Sequence, residues 1–511
     1  MRVKKKYLFL LNLIIAVVFA ILFFKNQIGL NLLIFEIITI PLMLWLNRPL
    51  KINYLTGTLF AATIFTLIFS IIINTFWCIL INNCLFILFS VALAFKSIKS
   101  LLNLSAITIE KIFISQLRIL KRWHKPKSNK IIINFRKIFL FVILPFFFVC
   151  LFIGLYAWAS PFFKEKFSFA IDAFVEFLEK IDFLFFIYLL IGLCIANILF
   201  IPTSPSCLYR QDLNSSEILT RKRKRKIFGY YFRFNGLQLQ NMSGIIILSL
   251  LNFLILFFNI LDITNVWFNF EWSGETLKAF VHEGTYVLLF SILISAGIAL
   301  YYFKKNLNFY KNNKLLKSLT VIWLVQNIIL TFSVVVRNYW YIQNFGLAYK
   351  RIALLFFLSL TIFSLFTIIW KILFKKTNYY LFKINSFAVM LAFVISAVFN
   401  WDIVIAKYNF ARYEKIVLDI NFLAKLDISA YKYTYKTDQE IETIAEVQKK
   451  LVNKYEKSPF KKILKEFYDF EFYKHNTNNL KENFLENYKN KNFLEWNYAD
   501  DETYKQLTIR N

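Results

Sequence analysis

The sequence predicts an all-α integral membrane protein, with about eleven transmembrane helices and a helical C-terminal tail outside the membrane. Three observations predict it. Hydrophobic residues make up 58% of the 511, above the roughly 45–50% of a soluble domain, and mean hydropathy is +0.53. The apolar residues come in runs near the roughly twenty that cross a bilayer at about 1.5 Å per residue. The charge is divided unevenly. Of 61 Lys and Arg, 42 precede residue 400 and 19 follow; of 31 Asp and Glu, 13 precede it and 18 follow.

Residues 1–24 open with Arg2 and Lys4–Lys6 and stay apolar to Phe24. A signal peptide shares that plan, but its apolar core is about 7–15 residues before a small-residue cleavage site. This run is longer and ends Phe23-Phe24-Lys25, so it reads as a first helix that stays in the membrane. Further spans are expected at about 28–46, 54–74, 77–95, 138–160, 181–201, 243–262, 279–303, 316–336, 352–373 and 378–399. Residues 54–95 contain no charge and are too long for one helix, so a break is expected near Asn74–Trp77.

Threading puts the N-terminus in the cytoplasm of a bacterial plasma (inner) membrane. Arg48 and Lys51, the 96–137 loop with Lys121–Lys125, the basic run Arg221–Lys226, the lysines of 304–317 and Lys375-Lys376 then share the inner side, as the positive-inside bias requires. Their partner is expected to be anionic lipid headgroups rather than nucleic acid. The outer loops are short or lean acidic, and 163–180 reads as an interfacial amphipathic helix. The 337–351 loop, with three cations and no acid, is the exception.

Residues 1–399 therefore form a polytopic membrane domain and 400–511 a helical tail on the outer side. Within the tail, Ile441, Ile444, Val447, Leu451 and Val452 recur at helical spacing over Asp438–Lys457, and 461–472 is similar. Such a tail offers a surface for a protein partner.

No nucleotide loop, paired catalytic carboxylates or Ser/His/Asp set can be assembled, so no enzyme activity and no cofactor is expected. His282 and Glu283 are adjacent, which excludes the zinc helix whose ligands share one face. The cysteines, Cys78, Cys84, Cys150, Cys194 and Cys207, form no CxxC pair and read as small hydrophobes. A charge at membrane depth is costly and marks a functional hypothesis; Glu36, mid-way along the second span, is the clearest. Glu283 and Arg337 are expected at one depth on the outer side, where they could pair. Glu283 and Asp402 are the acids expected to serve the cations of 337–351.

Three places carry a family resemblance. One is Arg337…Tyr341-Ile342…Phe345-Gly346-Leu347…Arg351. Another is His282-Glu283-Gly284-Thr285-Tyr286. The third is Asn400-Trp401-Asp402…Ile405-Ala406…Tyr408-Asn409…Arg412, followed by Leu418-Asp419…Phe422-Leu423…Leu426. Over roughly 230–430 the chain resembles the bacterial multi-pass membrane proteins of domain of unknown function 4173, related to 4153. Ala348 stands where that pattern has Thr. The resemblance implies a membrane class and names no activity to carry over, with a family-like core at about 230–399. Combined with the threading, it places His282, Glu283, Arg337, Tyr341, Gly346, Arg351, Asp402, Asn409 and Arg412 in one outer-face cluster. Cysteine labelling from outside is then expected at positions 344, 409 and 272 but not at 223. Two function classes stay open: a non-enzymatic scaffold or sensor or transport-associated component, and a secondary transporter with its path between the helices.

Overall fold

The computed structural model describes residues 5–49, 52–124, 139–159, 162–163, 182–201, 207–221, 236–268, 284–304, 306–453 and 469–509. Among the described residues, each apolar stretch read from the sequence falls mainly on a helix. In chain order these are α1 (Lys5–Phe23), α2 (Leu30–Leu46), α3 (Tyr54–Ile73), α4 (Phe76–Ala94), α6 (Leu144–Ala159), α7 (Phe183–Phe200), α9 (Leu237–Asp262), α10 (Gly284–Tyr302), α11 (Lys314–Phe345), α12 (Tyr349–Leu373) and α13 (Asn378–Ala397). Two more helices, α5 (Leu101–His124) and α8 (Cys207–Asn214), lie between them. Among the described residues, 8 helices are long and apolar enough to cross a membrane, and Leu8–Phe23 and Leu30–Leu46 are shorter apolar helices. All of the amphipathic stretch 163–180 but Phe163, and all of the basic run 221–226 but Arg221, lie outside the described residues.

Local chemistry sets the breaks. The charge-free run 54–95 divides at Asn74, which takes a left-handed conformation (φ 48°), one that asparagine tolerates better than most residues. Thr75 then caps α4 by accepting from the Cys78 N–H. Asn53, Thr377 and Asn400 cap α3, α13 and the next helix in the same way.

The helices pack as two bundles. Ile15, Phe35, Leu59, Phe89, Leu104 and Leu199 belong to a core built by α1–α5 and α7. Leu248, Ile292, Leu324 and Leu365 belong to a second core, built by α9–α12. Helix α13 packs on both: Val394 and Ala397 join the first core and Leu381 the second.

Small residues and amides hold the seams, as expected where lipid removes the hydrophobic drive between helices. Helices α1 and α7 meet through Ala16, Ala20 and Ala196, all fully buried, and Asn12 donates to Asn197 at 2.9 Å. Helices α9 and α11 run parallel. Asn252 and Asn259 donate to the carbonyls of Leu319 (3.0 Å) and Gln326 (3.1 Å), one heptad apart on both helices.

The chain has two faces. On one, which we call the basic face, Lys96 donates to the carbonyls of Asn47 and Pro49, each at 2.7 Å. Asp212 there accepts from the Lys99 N–H (2.7 Å), Asn103 (2.8 Å) and the Tyr379 phenol (3.0 Å). Lys371 caps α10 by donating to the Phe303 carbonyl at 3.0 Å.

The other face carries the tail. Its helices are α14 (Trp401–Phe410), α15 (Ile420–Ala424), α16 (Tyr431–Thr434), α17 (Asp438–Asn453), α18 (Phe470–Lys489) and α19 (Tyr498–Ile509). Ile405, Leu418, Leu423, Ile441 and Tyr473 form a third core, which also takes in Ile352 at the start of α12. The tail touches both bundles. Near one end Asn409 grips the α11–α12 joint. Near the other, the Trp496 carbonyl accepts from the Leu30 N–H at 3.0 Å, and Asn492 donates to Asn26 at 2.7 Å. Gly29 makes that second contact sterically possible, since a Cβ there would lie 2.4 Å from the Glu495 carbonyl oxygen.

Candidate functional site

The stretch expected as a loop at 337–351 is mostly helix. Helix α11 runs on to Phe345, nine residues past the expected end of its span. The extension is amphipathic: buried Arg337, Asn338, Ile342 and Phe345 share its inward side. Apolar counting alone ends the helix at the first charge, because it assigns Arg337 to water.

Arg337 is instead 4% exposed and forms an ion pair with Asp262, which is 6% exposed at the end of α9. The second Asp262 oxygen accepts from the Ser333 hydroxyl, which also accepts from the Trp267 indole at 3.0 Å. The partner expected from sequence, Glu283, lies outside the described residues with His282; Gly284, the residue after them, does approach Arg337, whose Nη1 would be 3.1 Å from a Cβ there. Asp262 went unnoticed because it ends an apolar span. A signal was present: Asp262 continues the buried spacing of Asn252 and Asn259 along α9.

About two and a half turns on, the joint between α11 and α12 is built around Gly346 and Asn409. Gly346 adopts φ 70°, ψ −173°, a region essentially reserved for glycine. A Cβ there would lie 2.4 Å from Asn409 Oδ1. Asn409, 4% exposed, behaves as a peptide group: Oδ1 accepts from the Leu347 N–H (2.6 Å) and Nδ2 donates to the Leu347 carbonyl (2.9 Å). The Val417 N–H adds a further tie to the Asn344 carbonyl at 2.9 Å. Position 409 is therefore closed to solvent, which corrects the expectation that a label would reach it.

The remaining cluster residues serve the same joint. Arg351 donates to the carbonyls of Phe345 (2.6 Å) and Gly346, and its guanidinium lies 4.3 Å over the Tyr341 ring. Arg412 lies 4.4 Å over the Tyr408 ring and donates to Gln343 at 3.3 Å. Asp402 accepts from the Tyr349 phenol and from the Asp427 N–H. The expectation that Asp402 neutralises these cations is corrected: carbonyl oxygens and ring faces satisfy Arg351, a geometry that guanidinium suits. The structure thus brings Arg337, Tyr341, Gly346, Arg351, Asp402, Asn409 and Arg412 to one end of the second bundle.

Glu36 is elsewhere. It sits in the first bundle, fully buried, about 9 Å along α2 from its tail-face end. Asn82 of α4 donates to its Oε1 at 2.6 Å, and Thr66 of α3 donates to the Asn82 side-chain oxygen Oδ1 at 2.9 Å. Oε2 has no hydrogen-bond partner among the described residues. Among them, too, no group of three or more His, Cys, Asp or Glu could hold a metal ion.

The fold and these joints define an α-helical polytopic membrane protein whose tail closes one face. The chain belongs to the family described as a domain of unknown function, DUF4153, which it matches over residues 5–436. That is the relative of the family named from sequence, and the match reaches back through the first bundle, beyond the three motifs. It ends between α16 and α17. No curated protein and no solved structure matches the chain.

Proposed function

We propose that the protein is a non-enzymatic scaffold of a bacterial inner membrane, with its basic face in the cytoplasm and its tail presented outside to a protein partner. The observation that carries this reading is the strap: the tail is tied to the second bundle through Asn409 and Leu347 and to the first through Trp496 and Leu30. Asn409 and Arg351 hold backbone, and Arg337, Asp402 and Arg412 hold neighbouring side chains, which suits a joint better than a reaction centre. The basic face carries Arg48, Lys96, Lys99, Lys371, Lys375 and Lys376, and the positive-inside bias favours that side for the cytoplasm.

The test has two arms. In a cysteine-replaced background, a membrane-impermeant maleimide applied to intact cells reaches Glu482→Cys on exposed α18 and not Arg210→Cys on exposed α8. A photo-crosslinker at position 482 then traps one defined protein in living cells. Labelling at 210 alone, or no discrete adduct at 482, ends the reading.

A second reading, a transporter with its path between the helices, is favoured by Glu36 Oε2. Helices α2, α3 and α4 hold that carboxyl, and the tail's last segments pack at the same end of α2 and α3. It predicts that Glu36→Gln folds normally but loses a substrate-dependent phenotype.

A further inference from the structure

Between the two bundles a groove of about 1010 Å³ runs along α13, walled by α3 on one side and α12 on the other. Ala61 and Phe65 of α3, Phe356 and Phe363 of α12, and Phe387 and Leu391 of α13 line it. It opens sideways: Phe65, Phe363 and Leu391 are all exposed there. In a chain that crosses a bilayer this opening faces hydrocarbon, and an apolar groove of this kind does not hold ordered water. From Lys383 to Ile395, the groove residues of α13 span about 18 Å at 1.5 Å per residue. A single leaflet contributes about 15 Å of hydrocarbon.

The two ends of the groove differ. At the basic-face end stand Tyr54, the first residue of α3, and Lys383. Tyr54 is 80% exposed, as expected of a tyrosine at the headgroup level. The Lys383 ammonium pairs with Glu217 at 2.7 Å. That carboxyl is held below the usual range by Lys383, with Lys376 and Lys99 adding to the effect. Three cations, Lys383, Lys376 and Lys99, thus face two acids, Glu217 and Asp212, and the mouth keeps a positive excess of one where a lipid phosphate would lie. The opposite end, at Ile395, is apolar.

We propose that this groove binds one anionic diacyl phospholipid, with an acyl chain along α13 between α3 and α12 and its headgroup at Lys383 and Lys376. The lipid fills the seam along α13, beside the contacts that this helix makes with both bundles. This site is distinct from the diffuse attraction of basic loops for a charged surface, because it is concave, has one occupant and is bounded by named walls.

The experiment uses the full chain in detergent, titrated with phosphatidylglycerol or phosphatidylethanolamine of identical chains and read by native mass spectrometry. The wild type is expected to hold one phosphatidylglycerol at a concentration about fivefold or more below that needed for phosphatidylethanolamine, the preference one lysine supplies near an anionic headgroup. Ala61→Trp and Ala388→Trp fill the groove and abolish the adduct. Lys383→Gln removes the preference. Glu217→Gln removes the competing acid and tightens phosphatidylglycerol, which guards against reading a misfolded Lys383 variant as support. Equal binding of the two lipids by the wild type, an adduct that survives both tryptophans, or weaker binding by folded Glu217→Gln would overturn the proposal.

Discussion

Asp262 and Arg337 show what a single charge costs at the rim of a membrane domain. Removing one member of a buried pair strands the other, at roughly 3–5 kcal/mol. Asp262→Leu and Arg337→Met should each lower the thermal unfolding midpoint in detergent clearly, and the double variant Asp262→Leu/Arg337→Met should regain most of the loss. A double variant no better than the sum of the singles would show that the two side chains act independently. Glu36 behaves differently. With a single hydrogen bond to its carboxyl, from Asn82, a neutral amide substitutes well, so Glu36→Gln should leave folded yield unchanged. Asn82→Leu, which strips that donor from a buried acid, should cost about 1–3 kcal/mol; equal yields for the two variants would contradict this. Glu36 was legible in the sequence because a lone acid stands out in an apolar run. Asp262 was not, since an acid at the end of a span looks like the start of a loop, and only its spacing from Asn252 and Asn259 along α9 marks it as inward-facing.

Gly346 and Asn409 belong to the scale of elements, because together they fix how α11 hands over to α12 and where α14 docks. Gly346→Ala forces a Cβ into a glycine-only backbone region and against Asn409, with strain of about 1–3 kcal/mol. Asn409→Leu keeps the shape and removes both hydrogen bonds to Leu347. Each variant should make the tail more sensitive to limited proteolysis in detergent while the transmembrane fragment stays intact; an unchanged cleavage rate for both would mean that the third core alone holds the tail. The sequence marked both residues through the family pattern but could not say that they touch, because 62 positions separate Leu347 from Asn409. In the tail's last hairpin the Tyr488 phenol donates to Asp501 at 3.0 Å, and burial with that carboxylate pushes its pKa to about 12. A raised folded pKa means that stability from this contact is intact below the ordinary tyrosine value near 10 and is lost as pH rises towards 12. Tail unfolding should therefore steepen with pH in that window for the wild type and not for Tyr488→Phe, as followed by tyrosinate absorbance and circular dichroism.

For the whole molecule, hydropathy was enough to place every apolar helix, because each run is bounded by charge or by a capping residue. It was silent on how those helices divide into two bundles, which depends on Asn252 and Asn259 on one side and on Ala16, Ala20 and Gly192 on the other. Nor could it show that the tail reaches across. The strap has a consequence in time. Asn26 and Asn492 are 466 positions apart, so at ~5–20 residues per second roughly 20–90 s of synthesis separate them. Throughout that interval the tip of the first helical hairpin lacks the chain that covers it. The tail-face contact therefore closes only after both bundles have been made, and a ribosome stalled before Asn492 would leave helices α1–α13 complete and the cap on the tail face still open.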